Sequence, residues 1–134
     1  MTLVWILLLA FLGVFAFVRL APSDPNVWHV DPSSSVDKTF RNGVIRRIST
    51  GTGGLRRMDS VITSDPRSAV LAGAVDEGKV TYISRTRMMG FPDYTTVIQD
   101  GEDLVIYARS RFGRKDFDVN RKRVERWIAA LTAY

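Results

Sequence analysis

The hydrophobic positions of this chain change their period several times, and each change marks an element. Residues 3–18, "LVWILLLAFLGVFAFV", carry no charged side chain and are apolar all round, which a helix on the surface of a small domain is not. Sixteen helical residues rise about 24 Å. Counting Leu20 and Ala21, with Arg19 snorkelling, brings the stretch near a bilayer span. An N-terminal transmembrane helix over residues 1–21 is expected. A cleaved signal peptide fits less well, because no Lys or Arg precedes the run and no small-x-small site follows it. Residues 21–35, "APSDPNVWHVDPSSS", hold three prolines and four serines and read as an extended stem, residues 22–35. Trp28 and His29 are expected to cover the edge of the following domain.

Residues 36–134 read as one α+β domain. A strand is expected over residues 44–48 and a loop over the glycine-rich "TGTGG" of residues 50–54. That glycine run lacks the Gly-Lys-Ser/Thr of a phosphate loop. In "SDPRSAVLAGAVDEG", Ser64 or Asp65 suits an N-cap, Pro66 the first helical position and Gly78 the position past the end, so the spacing predicts a helix between them. Three β-rich segments follow, "KVTYISRTRMM", "YTTVIQ" and "DLVIYARSRF", separated by the turn-like "GFPD" and "DGED". They predict an antiparallel meander. Val124, Trp127, Ile128 and Leu131 fall at i, i+3, i+4 and i+7, one face of a closing helix, with Asp118 or Asn120 as its cap. Asn120 is read as that cap in preference to a buried polar tie. The fold class expected is an antiparallel sheet, three-stranded meander plus at least one further strand, with two helices on one face.

Charge changes the picture locally. The chain carries 19 Lys and Arg against 14 Asp and Glu, a net +5. Between Arg109 and Arg123 stand seven Lys or Arg and two Asp, so this one segment accounts for the whole excess. Strand alternation puts Val80, Tyr82, Ser84 and Thr86 on one face and Thr81, Ile83, Arg85 and Arg87 on the other. It likewise parts Leu104, Ile106, Ala108 and Phe112 from Val105, Tyr107, Arg109 and Arg111. The faces without arginine are the natural core sides. The first and third strands of a meander run parallel, so Arg85, Arg87, Arg109 and Arg111 are expected on one face at one end of the sheet. "RTRMMGFPD" and "RSRFGRKD" echo each other, and Asp93 and Asp116 are each placed to pair with their own arginines. Exposed charges 7 Å apart repel by only about 0.6 kcal/mol in water, so the cluster does not by itself require a ligand. A solvated rim of Arg-Asp pairs and an anion site are both consistent with it.

Several chemistries drop out. With no cysteine, disulfides, thiolate metal sites and thiol nucleophiles are excluded. His29 is the only histidine, so a His-pair metal site has no ligands. No cofactor and no metal are expected.

The segments "RTRMMGFPDY" and "YARSRFGRKDFDVNRKRVERW" resemble the bacterial and plastid family called domain of unknown function 1499. That family has a similar arginine-bearing strand, a Gly-Phe-x-Asp turn and a closing Ser-Arg…Val-Asn-Arg signature. The resemblance runs from about Trp28 to the C-terminus. It implies a membrane-associated or exported setting and no particular activity. One departure is Asp118 where the family pattern has Gly; if that Gly serves a positive-φ turn, Asp is among the side chains that tolerate it.

The function expected is a membrane-anchored, non-catalytic binding module, with Arg85, Arg87, Arg109 and Arg111 accepting an anion and Asp93, Asp116, Asn120 and Arg121 supporting them. Its partners would be the lipid bilayer and an anionic small molecule, a lipid headgroup or a membrane protein. The alternatives are an enzyme with Asp93 or Asp116 as general base, weakened because neighbouring arginines depress a carboxylate's basicity, and a structural partner of a membrane protein. A nucleic-acid platform would have Tyr107 alone to stack bases, and no sequence-specific nucleic acid is expected.

Overall fold

The computed structural model describes residues 1–34, 36–112 and 118–133. Helix α1 (Thr2–Leu20) has a mean hydropathy of 2.6 and none of its residues is buried; it is long and apolar enough to cross a membrane. A short helix α2 (Pro25–Trp28) is capped by the Asp24 side chain, which accepts from Asn26 N at 2.9 Å. Strands β1 (Lys38–Phe40), β2 (Gly43–Ser49), β3 (Ser68–Ala74), β4 (Lys79–Arg85), β5 (Pro92–Asp100) and β6 (Asp103–Ser110) form one antiparallel sheet in the order β1-β2-β6-β5-β4-β3. The expected meander is its centre. Helices α3 (Gly54–Thr63) and α4 (Val119–Thr132) pack together on one face.

The core is the one alternation selects. Val80 and Tyr82 of β4, Val97 of β5, Leu104, Ile106 and Ala108 of β6 and Val44 of β2 meet Leu55, Met58 and Ile62 of α3 and Val124, Trp127 and Leu131 of α4. Burying each large apolar side chain contributes about 1.5–3 kcal/mol. The Tyr82 hydroxyl, at the end of this core, donates to Asp59 Oδ1 at 2.6 Å. Burial first, and the Asp59 carboxylate second, raise its pKa far above the ordinary tyrosine value.

The first of the two packed helices is not the expected one. Residues 68–74 are a strand, because their main chain completes the edge beside β4, with a bulge between Val70 and Ala72. Tertiary pairing overrides the helix preference of an alanine-rich run. The supposed cap residues end α3 instead: Ser64 is its C-cap, and Asp65 turns the chain by accepting from Arg67 N at 2.9 Å. The helix proper begins inside the glycine run. A Cβ on Gly54 would lie 1.8 Å from Thr50 Oγ1, so only glycine fits there. Leu55 N is satisfied by Gln99 Oε1 at 2.8 Å, a cap contributed by β5.

The stem is packed rather than extended. From Pro22 to Asp31 it crosses the sheet face opposite the helices. Trp28 stacks on Tyr94 with ring centroids 4.0 Å apart and planes at 13°. Ser23 Oγ and the Tyr94 hydroxyl are hydrogen-bonded at 2.6 Å, and Lys79 Nζ reaches Asp31 at 3.0 Å. Gly73, at φ 83°, makes room for this strap: a Cβ there would lie 2.2 Å from Lys79 O and 2.7 Å from the His29 ring. Asp118 has φ 64°, the left-handed conformation that a glycine at this position would supply.

Candidate functional site

Strand register sorts the charged residues onto the two faces. Tyr94 pairs with Arg109, Ser84 with Asp93, and Asp93 with Ser110. Arg85, Arg109 and Arg111 therefore lie on the face crossed by the strap, at the end where α1 joins. Arg87 lies beyond β4, exposed in the turn that leads to β5.

Three of these guanidiniums hold the main chain of the N-terminal segment. Arg85 Nη1 donates to Arg19 O at 2.8 Å and to Gly90 O at 3.0 Å. Arg111 Nη1 donates to Pro22 O at 2.8 Å and to the Tyr94 hydroxyl at 3.2 Å. Arg109 donates to Trp28 O, Thr96 Oγ1 and Tyr107 O, and its guanidinium lies 4.2 Å from the Tyr107 ring centre. Only 4% exposed, Arg109 has its pKa lowered to about 10, because burial strips water from the cation. The same network continues through Thr96 and Thr81 to His29, whose Nδ1 is 2.7 Å from Thr81 Oγ1. Burial, and then the Lys79 ammonium, lower the His29 pKa. Tyr107 is no free platform: Arg109 covers its ring on one side and Phe40 packs at 6.0 Å.

The supporting residues separate. Asp93 does not return to Arg85 or Arg87; it points under α4 and accepts from Arg123 Nη1 at 3.0 Å, both side chains being under a tenth exposed. Alternation decides this, since Asp93 shares its face with Ser84 and Ser110. Asn120 is fully buried rather than an N-cap: it accepts from Arg123 and donates to Ser110 Oγ at 3.0 Å, tying α4 to the sheet. Asp93 is therefore sealed from any exposed substrate. Arg121 is occupied on its own helix by Asp118 at 3.5 Å and Glu125 at 3.2 Å, and these contacts raise its pKa. Asp116 lies outside the described residues.

Beside the α1 junction are two adjoining clefts of about 390 Å³ and 460 Å³ that share Arg67, Arg85, Thr86, Arg87 and Met88. Arg19 and Gly90 complete the first, Asp65, Val119, Arg123 and Arg126 the second. Arg67, Arg87 and Arg126 are exposed, and among the described residues their guanidiniums have neither hydrogen bond nor ion pair. Among the described residues lining the clefts, the one carboxylate is Asp65. At the other end of the sheet the pattern reverses, where Arg47 meets Asp100 at 2.7 Å and Asp103 at 2.9 Å. These contacts raise the Arg47 pKa, and the Ser49 hydroxyl and Arg47 lower that of Asp103.

Arg67 and Arg126 escape sequence reasoning. Arg67 follows a segment that reads as a helix start, and Arg126 only reaches the cleft because α4 presents it two turns past Val119 and one turn past Arg123. The i, i+4, i+7 spacing of Val119, Arg123 and Arg126 is the one signal that places Arg126 on that side. No group of three or more metal-ligating side chains occurs among the described residues. A planar, multiply donating guanidinium set suits phosphate or carboxylate.

No curated protein and no solved structure matches this sequence. The sequence pattern of the family described as "Protein of unknown function (DUF1499)" matches residues 20–131, a span that begins at the last residue of α1 and takes in the strap, the sheet, α3 and all but the last residue of α4, and the chain belongs to that family.

Proposed function

We propose that the protein is a membrane-anchored, non-catalytic binding module that accepts an anionic group, phosphate or carboxylate, in the arginine-lined cleft beside the α1 junction. The observation that carries this reading is the set of unpartnered guanidiniums of Arg67, Arg87 and Arg126 around one cleft of about 460 Å³ with Arg85. Arg85 adds to it because its hydrogen bonds go to neutral carbonyls, which leave its charge uncompensated. Arg109 and Arg111 contribute indirectly, by holding the strap.

The anchor is α1, a 19-residue helix of high hydropathy with none of its residues buried in the isolated chain. The test is titration calorimetry of the full chain in uncharged maltoside micelles with inorganic pyrophosphate. The double variant Arg87→Gln, Arg126→Gln should lose about tenfold in affinity, roughly 1.4 kcal/mol, whereas Arg121→Gln should match the parent. Absence of binding by the parent, or equal binding by the double variant, would overturn the reading.

A further inference from the structure

The turn between β4 and β5 combines features that a water-facing turn lacks. Thr86 closes it on three atoms: its N donates to Phe91 O at 3.0 Å, its carbonyl accepts from Gly90 N at 3.0 Å, and its Oγ1 accepts from Phe91 N at 3.0 Å. This closed turn holds out Met88, 88% exposed, and Met89, 39% exposed. After α1 no large apolar side chain among the described residues is more exposed than Met88.

Its position relative to α1 is fixed at several points. The Phe91 ring centre lies 6.2 Å from that of Phe15, and Phe112, from the neighbouring loop, lies 6.3 Å from Phe17. Phe15 stands four residues before Arg19, about 6 Å deeper along the helix axis. Arg85 Nη1 bridges Arg19 O and Gly90 O, so the turn cannot slide along α1 without losing those bonds. If Arg19 marks the headgroup level, the Phe91 ring, set against Phe15, lies below it, and Met88 lines the same cleft as Arg19. The surrounding cations, Arg19, Arg87 and Arg111, have long stems that reach headgroups from such a position.

We infer that the Thr86–Phe91 turn is a second membrane contact, which inserts Met88 and Met89 into the leaflet from which α1 emerges. This rests on the reading of α1 as a membrane anchor. The occupant is phospholipid, because the apolar turn is continuous with a helix whose own apolar surface needs the same solvent. The insertion gives the domain a second point of contact with the bilayer beside α1, with the arginine cleft opening at headgroup height.

The absence of cysteine makes the test direct. Single variants Leu9→Cys, Met88→Cys and Asp76→Cys of the full chain are labelled with an environment-sensitive fluorophore and reconstituted in vesicles of mixed zwitterionic and anionic phospholipid. None of the three positions is buried, so folding is not at issue. Quencher on the acyl chains should remove emission from labels at 9 and 88 and spare the label at 76, which aqueous iodide should quench instead. If position 9 is quenched by lipid and position 88 by iodide, the insertion is overturned and the anchor stands. If neither responds to lipid quencher, the anchor reading fails and the insertion with it. A label at 88 shielded from both quenchers would mean that protein, not lipid, covers the turn, and would also overturn the inference.

Discussion

The two faces of the sheet both use arginine, to opposite effect. Under α4, the nearly buried Arg123 is matched by a carboxylate, Asp93, at the margin between the apolar core and the cleft. Beneath the strap, Arg85, Arg109 and Arg111 are matched by backbone carbonyls of Arg19, Pro22 and Trp28. The first arrangement cancels charge and fixes one packing. The second satisfies the donors but leaves the positive charge in place, so the strap face and the cleft next to it keep the electrostatic excess of the sequence. Charge of the first kind is neutralised by its partner; charge of the second kind is hydrogen-bonded without being neutralised.

This contrast is broken most forcefully on the helix face. Arg123→Ala removes the buried cation from which Asp93 accepts and should cost about 4 kcal/mol, read as a shifted denaturation midpoint. Adding Asp93→Ala should recover part of that loss, since the buried carboxylate that Arg123 served is then gone as well. On the strap face Arg109→Met keeps the packing stem and removes the donors. It should cost about 2 kcal/mol and, more tellingly, raise amide hydrogen exchange over residues 22–31 while α4 stays protected. Equal loss of protection on both faces would erase the distinction.

A smaller effect sharpens it through pH. Because the His29 pKa is lowered in the folded chain, folding favours the neutral imidazole. The associated stability is complete above the unfolded value of about 6.5 and declines as pH falls below it toward the folded value. The groups around this imidazole are Thr81, Lys79, Glu77 and Asp31. Strap amides should therefore exchange faster on acidification from pH 7 to 5.5, and His29→Asn should flatten that dependence.

What was legible in the sequence follows the range of the interactions. The meander and α4 are set by alternation and by i, i+3, i+4 spacing, and both formed as read. Residues 54–63, to which local pattern assigns no element, form a helix, and residues 68–74, expected as helix, form a strand, because their determinants are remote. Gln99 caps α3 from β5, and β4 supplies the pairing that makes an alanine-rich run a strand. Alternation placed Arg85, Arg109 and Arg111 on one face, but no local pattern showed that the stem would return to occupy them. Asp93 was misassigned by the echo of two motifs, although its own parity in β5 puts it on the core side. Arg67 and Arg126 come to one cleft through the packing of α4 against α3, which sequence spacing does not encode.

The division of labour among the arginines can be observed in one nitrogen-15 NMR measurement of side-chain guanidinium exchange, on the full chain in maltoside micelles with and without inorganic pyrophosphate. The account predicts slow guanidinium exchange for Arg85, Arg109 and Arg111 in both states, and pyrophosphate-dependent shifts at Arg67, Arg87 and Arg126. Fast exchange at Arg109, or shifts spread evenly over arginines distant from the cleft such as Arg47 and Arg121, would contradict it.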